Sequence, residues 1–270
     1  MRSVRGFNCM DLAMKPTTET GPGWELRAGD WREVLADVVA DSVITDPPYS
    51  PRTHSGQRSN KYDPADGLAA AYGSTQQPIS YGHITPADAE ALAARWSAAR
   101  WLIVFGDHIS AQWHEAAAKG VDRYTFPPVP WVKPDAAPRF MGDGPSPAHE
   151  TITISRVRAR MRPKDYKHRP GYYSLPCRPG RAGGLVGAKP PDLMGALIRD
   201  YSQPGDLIVD PYAGSATTLL AALRYGRRAI GAERDPETFK KAVERLRKGF
   251  TPCMFAAVDK IKAAQDQLPW

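Results

Sequence analysis

Short apolar runs recur along this chain, separated by turns rich in proline, glycine and aspartate, and the runs follow two periods. Residues 26–44 read as strand, turn, helix and strand. Asp30 is placed to cap a helix starting at Trp31, with Val34, Leu35 and Val38 on one face, and residues 42–45 form a short buried strand. An alanine-rich helix opens at Thr85-Pro86 and runs to about Ala99. A buried strand follows at 101–105, then a helix over 109–119, a strand near Tyr124, a segment at 131–134 and a strand at 151–155. The last third is clearest: helix 191–201, strand 207–209, a loop at 210–215, helix 216–225, strand 228–232 ending on Glu233, and helix 236–248. Strands alternating with helices predict a parallel sheet covered on both faces, an α/β fold.

Two stretches break the pattern. Residues 50–82 have no sustained apolar period, which predicts a functional loop or lid. Residues 156–185 hold the charge. Between Arg156 and Arg181 nine Lys/Arg face a single acid, Asp165, a local charge of +8 against +7 for the whole chain. The remainder is close to neutral, so the basicity sits in one segment, as a polyanion-binding element requires. Length and composition, with 42% hydrophobic residues, fit one globular domain over residues 1–270. No apolar run approaches the ~20 residues that cross a bilayer, and the N-terminal residues lack an apolar signal core. Cys9, Cys177 and Cys253 are widely spaced without a CxxC pair, which argues against a disulfide framework and suits a reducing cytoplasm. The histidines show no ligand spacing, so no metal is expected.

Two motifs carry chemistry. Val209 to Thr218 runs from a strand into a small-residue loop (Asp210-Pro211-Tyr212-Ala213-Gly214-Ser215) and then a helix. Such a loop lets a ligand approach the backbone, while the helix start offers N–H groups to an anion. Glu233, at the end of the next strand, is positioned to hold ribose hydroxyls of an adenosine cofactor. The loop is not G-x-G-x-x-G, which argues against a dinucleotide. The second motif is Asp46-Pro47-Pro48-Tyr49 at the end of strand 42–45, where the prolines enforce a stiff turn. An exocyclic base amine is a poor nucleophile because its lone pair is delocalised. A carboxylate at Asp46 and the rigid Pro47 carbonyl would accept both amine hydrogens, and Tyr49 would stack a base flipped out of the duplex.

Gly187-Ala188-Lys189-Pro190, Pro204-Gly205-Asp206, Asp210-Pro211-Tyr212-x-Gly214-Ser215-x-Thr217-Thr218 and Gly231-x-Glu233 closely resemble the DNA amino-methyltransferases. The chain looks like their permuted, β-class group, in which the catalytic tetrapeptide precedes the cofactor loop. The resemblance implies a Rossmann-like, seven-stranded, mostly parallel sheet and S-adenosylmethionine as cofactor. It also implies Asp30, Lys189, Asp210, Tyr212, Gly214, Ser215, Thr217 and Glu233 as cofactor residues. Asp210, Tyr212, Gly214 and Ser215 line the methionine end, Glu233 takes the ribose and Asp30 lies near the adenine. The family usually has glycine where Ala216 stands, so an added methyl is expected beside the cofactor.

Chain order discriminates between amine chemistries. Protein-glutamine methyltransferases place a similar tetrapeptide, typically led by Asn, after the cofactor loop, whereas here it comes about 160 residues earlier. Methylation at cytosine carbon-5 needs a cysteine nucleophile, and Pro176-Cys177 lies in an Arg/Gly-rich loop without a preceding strand. Across the family an aspartate-led tetrapeptide leans toward adenine N6 and a serine-led one toward cytosine N4. Trp131-x-Lys133-Pro134 and His149-Glu150 resemble the segment before the family's target-recognition insertion, which is matched here by residues 156–185. Arg156, Arg158, Arg160 and Arg162 would share one strand face and, with Lys164, Lys167 and Arg169, contact double-stranded DNA. Tyr166, Tyr172 and Tyr173 read as packing of the insertion. Family members often form dimers, so a homodimer is one assembly the resemblance allows.

Overall fold

The computed structural model describes residues 17–53, 82–136, 145–158, 168–177 and 188–249. Most of the 50–82 loop lies outside these residues, as do Arg160, Arg162, Lys164, Lys167 and Tyr166. The strands are β1 (Thr18–Gly21), β2 (Trp24–Ala28), β3 (Ser42–Thr45), β4 (Trp101–Gly106), β5 (Arg123–Thr125), β6 (Val129–Val132), β7 (His149–Val157), β8 (Tyr173–Ser174), β9 (Leu207–Asp210) and β10 (Arg228–Glu233). The helices are α1 (Trp31–Val34), α2 (Pro86–Arg95), α3 (Ser110–Gly120), α4 (Pro191–Tyr201), α5 (Thr217–Arg224) and α6 (Pro236–Lys248).

All ten strands join one sheet, in the order β1-β2-β10-β9-β3-β4-β7-β6-β8, with β5 paired to β7. Strands β2, β10, β9, β3 and β4 are mutually parallel, β7 is antiparallel, and β6 returns to the parallel direction. That is the expected seven-stranded, mostly parallel sheet. Three short strands extend it: β1 folds back on β2, β5 lies against β7, and β8 pairs with β6.

Central strands of a sheet covered on both sides have no polar face to offer water, and all six residues of β4 are buried. Their alternation still sorts them. Trp101, Ile103 and Phe105 join Ile44 and the apolar faces of α4, α5 and α6, whereas Leu102 and Val104 join Val43 and residues of α1, α2 and α3. The helices start where local chemistry satisfies their free N–H groups. Thr85 and Asp88 form a reciprocal capping box on α2 with Pro86 following Thr85, and Asp235 accepts from Thr238 N ahead of α6.

Several arginines serve as interior struts. Arg123 is fully buried and bonds the carbonyls of Trp96, Ser97 and Ala99 just beyond α2, together with the hydroxyl and carbonyl of Ser155 on β7. Burial pushes its guanidinium down to about 10, so it stays charged at neutral pH. The counter-charge is the partial negative charge of carbonyls at the α2 terminus. Replacing Arg123 with Met strands those buried carbonyls and is expected to cost roughly 3 kcal/mol. Urea denaturation measures this, and a loss below about 1 kcal/mol would show that water substitutes for the guanidinium.

Candidate active site

Ligand sites of open α/β sheets form outside the carboxyl ends of the parallel strands. Four neighbouring strands deliver the expected residues to that edge. β2 leads into Gly29-Asp30, β10 ends on Glu233, β9 ends on Asp210, and β3 runs directly into Asp46. The chain carries these groups far apart in sequence, and the strand order brings them together.

At β9 and β10 the glycine-bearing loop is tied down from three sides. Gly214 N donates to Glu233 Oε2 at 2.9 Å, and Ala213 N donates to the Ala232 carbonyl at 2.9 Å. Glu233 Oε1 accepts from Asp235 N at 2.7 Å, and burial pushes the Glu233 carboxyl upward. Gly231 makes the close approach feasible, since a Cβ there would meet the Ala213 Cβ at 2.9 Å and Leu219 Cδ1 at 3.1 Å. From α6, Arg245 reaches back to donate to the Ser215 carbonyl (2.7 Å), Ser215 Oγ (3.0 Å) and Thr217 Oγ1 (2.8 Å). Thr217, expected to touch the cofactor, is buried and braces this loop. Arg245 carries no local signal of this role, because nothing in the sequence links it to a loop 30 residues away.

Asp210 is buried, and that burial pushes its carboxyl up to about 6 against hydrogen bonds from Thr218, Thr45 and Tyr212 N. The Thr45 hydroxyl donates to Asp210 Oδ1 at 2.7 Å, joining the cofactor-loop strand to the tetrapeptide strand. Tyr212 packs beside Trp31, with ring centroids 6.2 Å apart, and Asp30 caps α1 through Arg32 N.

At β3 the tetrapeptide sits in a buried cluster of charge. Lys189 Nζ lies 2.5 Å from Asp46 Oδ2 and 3.2 Å from Glu150 Oε2, while Lys133 Nζ lies 2.9 Å from Glu150 Oε1. The Tyr49 hydroxyl donates to Glu150 Oε2. Burial pushes the Asp46 carboxyl up, more than the adjacent Lys189 pulls it down. Burial would also raise Glu150, but Lys189 and Lys133 together hold it at about 2. Asp46 Oδ1 is buried with no hydrogen-bond partner among the described residues. Lys189, expected at the cofactor, lies against the tetrapeptide. Glu150 and Lys133 complete the site; their motifs were visible in the sequence, but their meeting with Tyr49 and Lys189 was not.

Asp107, just past β4, anchors the chain leaving the tetrapeptide. It accepts from Ser50 N (3.1 Å), Ser50 Oγ and Thr53 Oγ1 (both 2.5 Å) while also capping α3 through Ser110 N at 2.8 Å. These donors overcome its desolvation and hold its carboxyl at about 2.

The described arginines of the basic segment do not reach this edge. Register places Arg156 opposite Trp101 at the start of β4, level with Ser42, whereas Asp46 follows the last residue of β3. At ~3.3 Å per residue, that is about 13 Å back along the strands. Arg156 lies over the Tyr124 ring and Arg158 pairs with Asp122 at 2.6 Å. Arg169 is stacked on Trp101 (4.5 Å) and Tyr201 (5.2 Å) and donates to the Asp200 carbonyl. Expected to contact DNA, these three pack or pair at the amino end of the sheet. Tyr173 is buried and donates to Asp200 Oδ2 at 2.6 Å, in line with packing, while Tyr172 is exposed.

Residues 180–244 match the family model described as DNA methylase. The chain is thus a relative of the DNA methylases. The Type II methyltransferase M.XycI of Xanthomonas campestris pv. cyanopsidis is 29% identical over 129 residues, covering 44% of this chain and 43% of that protein. The DNA adenine methyltransferase YhdJ of Escherichia coli K12 is 43% identical over 58 residues, 22% of this chain and 20% of that protein. The chain spans about half the length or less of the curated relatives it matches. In fold it resembles the M1.HpyAVI-SAM complex, with a TM-score of 0.60 at 19% identity, covering 83% of this chain and 98% of the other. PvuII DNA methyltransferase, titled cytosine-N4-specific, gives 0.56 at 15% identity, covering 88% and 92%. These likenesses show a methyltransferase α/β fold.

The departure at Ala216 has a backbone origin. Ala216 is fully buried with φ 59° and ψ 29°, the left-handed region, directly before α5. The geometry costs a non-glycine residue ~1–2 kcal/mol. Ala216→Gly relieves that cost but loses about 0.8 kcal/mol of methyl burial and adds about 0.5–1 kcal/mol of unfolded-chain entropy. The terms nearly cancel, so the variant should lie within about 0.5 kcal/mol of wild type. Ala221→Gly, equally buried but inside α5, should cost about 1–2 kcal/mol. Equal losses in urea denaturation would refute the strain at Ala216.

Proposed function

We propose that this protein transfers a methyl group from S-adenosylmethionine to an exocyclic amine of a base flipped out of double-stranded DNA, with adenine N6 favoured over cytosine N4. The observation that carries this reading is the buried, unpartnered Asp46 Oδ1, set one strand away from the loop tied to Glu233. An orphaned buried acceptor is costly, and a donor arriving with the substrate removes the cost. The residues fit the cofactor. Glu233 is a buried carboxylate beside the glycine loop for ribose hydroxyls, Asp30 follows the neighbouring strand β2 as the cap of α1, and Asp210 and Tyr212 begin the loop. When bound, S-adenosylmethionine supplies an electrophilic methyl on a sulfonium. Asp46 Oδ1 and the Pro47 carbonyl would accept the two amine hydrogens, turning the lone pair out of conjugation. Tyr49 has Lys189 Nζ 5.2 Å from its ring centroid, and its ring is the group assigned to stack the flipped base.

The preference for adenine rests on the aspartate that leads the tetrapeptide, and a relative titled DNA adenine methyltransferase supports it. Cytosine N4 is the second reading, favoured by the fold likeness to the PvuII enzyme. Carbon-5 chemistry is disfavoured at Cys177: burial and Asp135 raise its thiol, and its backbone N–H is spent on Asp135 Oδ1. Mass analysis of nucleosides from treated DNA names the base. N6-methyladenine is expected, and its yield should fall by at least about 10³-fold in Asp46→Ala. Transfer equal to wild type in that variant would sink the proposal.

Phosphate contacts are assigned within the same proposal to Arg160, Arg162, Lys164 and Lys167. Changing Arg160 and Arg162 to Gln should flatten the slope of log affinity against log salt by roughly 2. The same change at Arg156 and Arg158 should leave the slope unaltered, and the opposite ordering would return DNA binding to β7.

A further inference from the structure

The geometry points to Lys189 as a positioning residue: its ammonium holds Asp46 ionised and occupies Oδ2, so that Oδ1 alone is left to accept the substrate amine. This rests on the reading of Asp46 as the amine-holding group.

The backbone fixes the lysine first. Lys189 precedes Pro190 and Pro191, so its own conformation is restricted and the start of α4 is set immediately after it. Its side chain is 8% exposed and its Nζ lies 5.1 Å from the Phe105 ring and 5.2 Å from the Tyr49 ring. From there it reaches both carboxylates, at 2.5 Å to Asp46 and 3.2 Å to Glu150.

The surrounding charges explain why a cation is needed at this point. Asp46 faces Glu150 from β7 and Asp210 from β9, and both carboxylates disfavour a third negative charge beside them. Lys133 from the end of β6 is committed to Glu150 Oε1, on the side away from Asp46. The Tyr49 hydroxyl is committed to Glu150 Oε2. Lys189 is the cation in contact with Asp46 among the described residues. Without it, a buried Asp46 would take up a proton, and a protonated carboxyl is a poor acceptor for an amine hydrogen. The same ammonium meets the Glu150 oxygen that anchors Tyr49, so acceptor and stacking ring are set by one group.

The test uses the full chain with Lys189→Met and Lys189→Arg, and three readouts. Carboxyl carbon NMR follows the titration of Asp46, assigned by its loss in Asp46→Asn. Single-turnover methyl transfer is recorded against pH at saturating S-adenosylmethionine and DNA, and calorimetry gives the S-adenosylmethionine Kd. In Lys189→Met the Asp46 titration and the acid limb of the rate profile should rise together by about one pH unit or more. The rate at a fixed pH on the acid limb should fall roughly tenfold, with Kd within about threefold of wild type. Lys189→Arg should restore most of the rate and the position of the acid limb. If Lys189→Met does not fold, Lys189→Met with Glu150→Gln keeps the buried charges balanced and should show a smaller upward titration than the single variant, because the Glu150 charge that also raises Asp46 is gone. An unmoved Asp46 titration overturns the proposal. So does a Kd weakened tenfold or more with an unmoved acid limb, which would return Lys189 to the cofactor. Wild-type protein that methylates no DNA would refute the functional reading alone, because the NMR titration would still decide what Lys189 does to Asp46.

Discussion

Two carboxylates and two ammoniums buried in one place form the constraint on which the tetrapeptide end of the molecule depends. Asp46, Glu150, Lys189 and Lys133 come from the ends of β3, β7 and β6 and from the approach to α4, so the cluster is balanced only when those elements are docked. Removing any one member leaves a partner uncompensated in a poorly solvated site, a large penalty compared with a surface pair. The cluster thus fixes where α4 begins relative to β3, and through Tyr49 and Glu150 it fixes the turn that follows Asp46.

The second half of the site is held by close backbone packing and charge-assisted hydrogen bonds. Gly231 permits the loop to lie on β10, Glu233 accepts its amide, and Arg245 holds its far side from α6. Thr45 and Asp210 connect the two halves across neighbouring strands. A displacement of β9 relative to β3 would therefore disturb both motifs at once, which is the mechanical advantage of placing them on adjacent parallel strands. Reactions that depend on aligning two bound groups gain most from such rigid juxtaposition.

Sequence made the elements legible because their signals are local. The capping pair Thr85 and Asp88, the aspartates before α1 and α6, and the apolar runs of β4 and β9 each act within a few residues, and these elements start where their patterns predict, although α1 stops at Val34, short of Val38, and α2 ends at Arg95, not near Ala99. Motif residues at strand ends were legible too, since the carboxyl edge of a parallel sheet collects strand ends regardless of their separation in the chain. What sequence did not disclose were partners made by topology. Nothing local ties Glu150 to Lys189, or Asp107 to Ser50 and Thr53, or Arg245 to Ser215. The backbone strain at Ala216 was likewise hidden, because it lies in the sign of φ.

The arginines show how charge counting misleads when placement is unknown. A net +7 and a dense basic run point to DNA, yet Arg95, Arg123, Arg227 and Arg245 spend their donors on backbone carbonyls and hydroxyls inside the fold. Arg169 lies between aromatic rings. A planar fork of five donors suits a helix terminus or a turn as well as it suits a phosphate, because each presents several oxygens in one region. Net charge is informative about polyanion binding only after such internal guanidiniums are set aside. In the described part of the basic segment, Arg158 pairs with Asp122 and Arg156 stacks on Tyr124, both at the amino end of the strands. On the proposed reading, a duplex presenting a base to Asp46 would approach the carboxyl end, so the cations that meet its phosphates would have to project toward that edge. Position along the strands, more than the density of basic residues, separates a structural arginine from one that can read DNA.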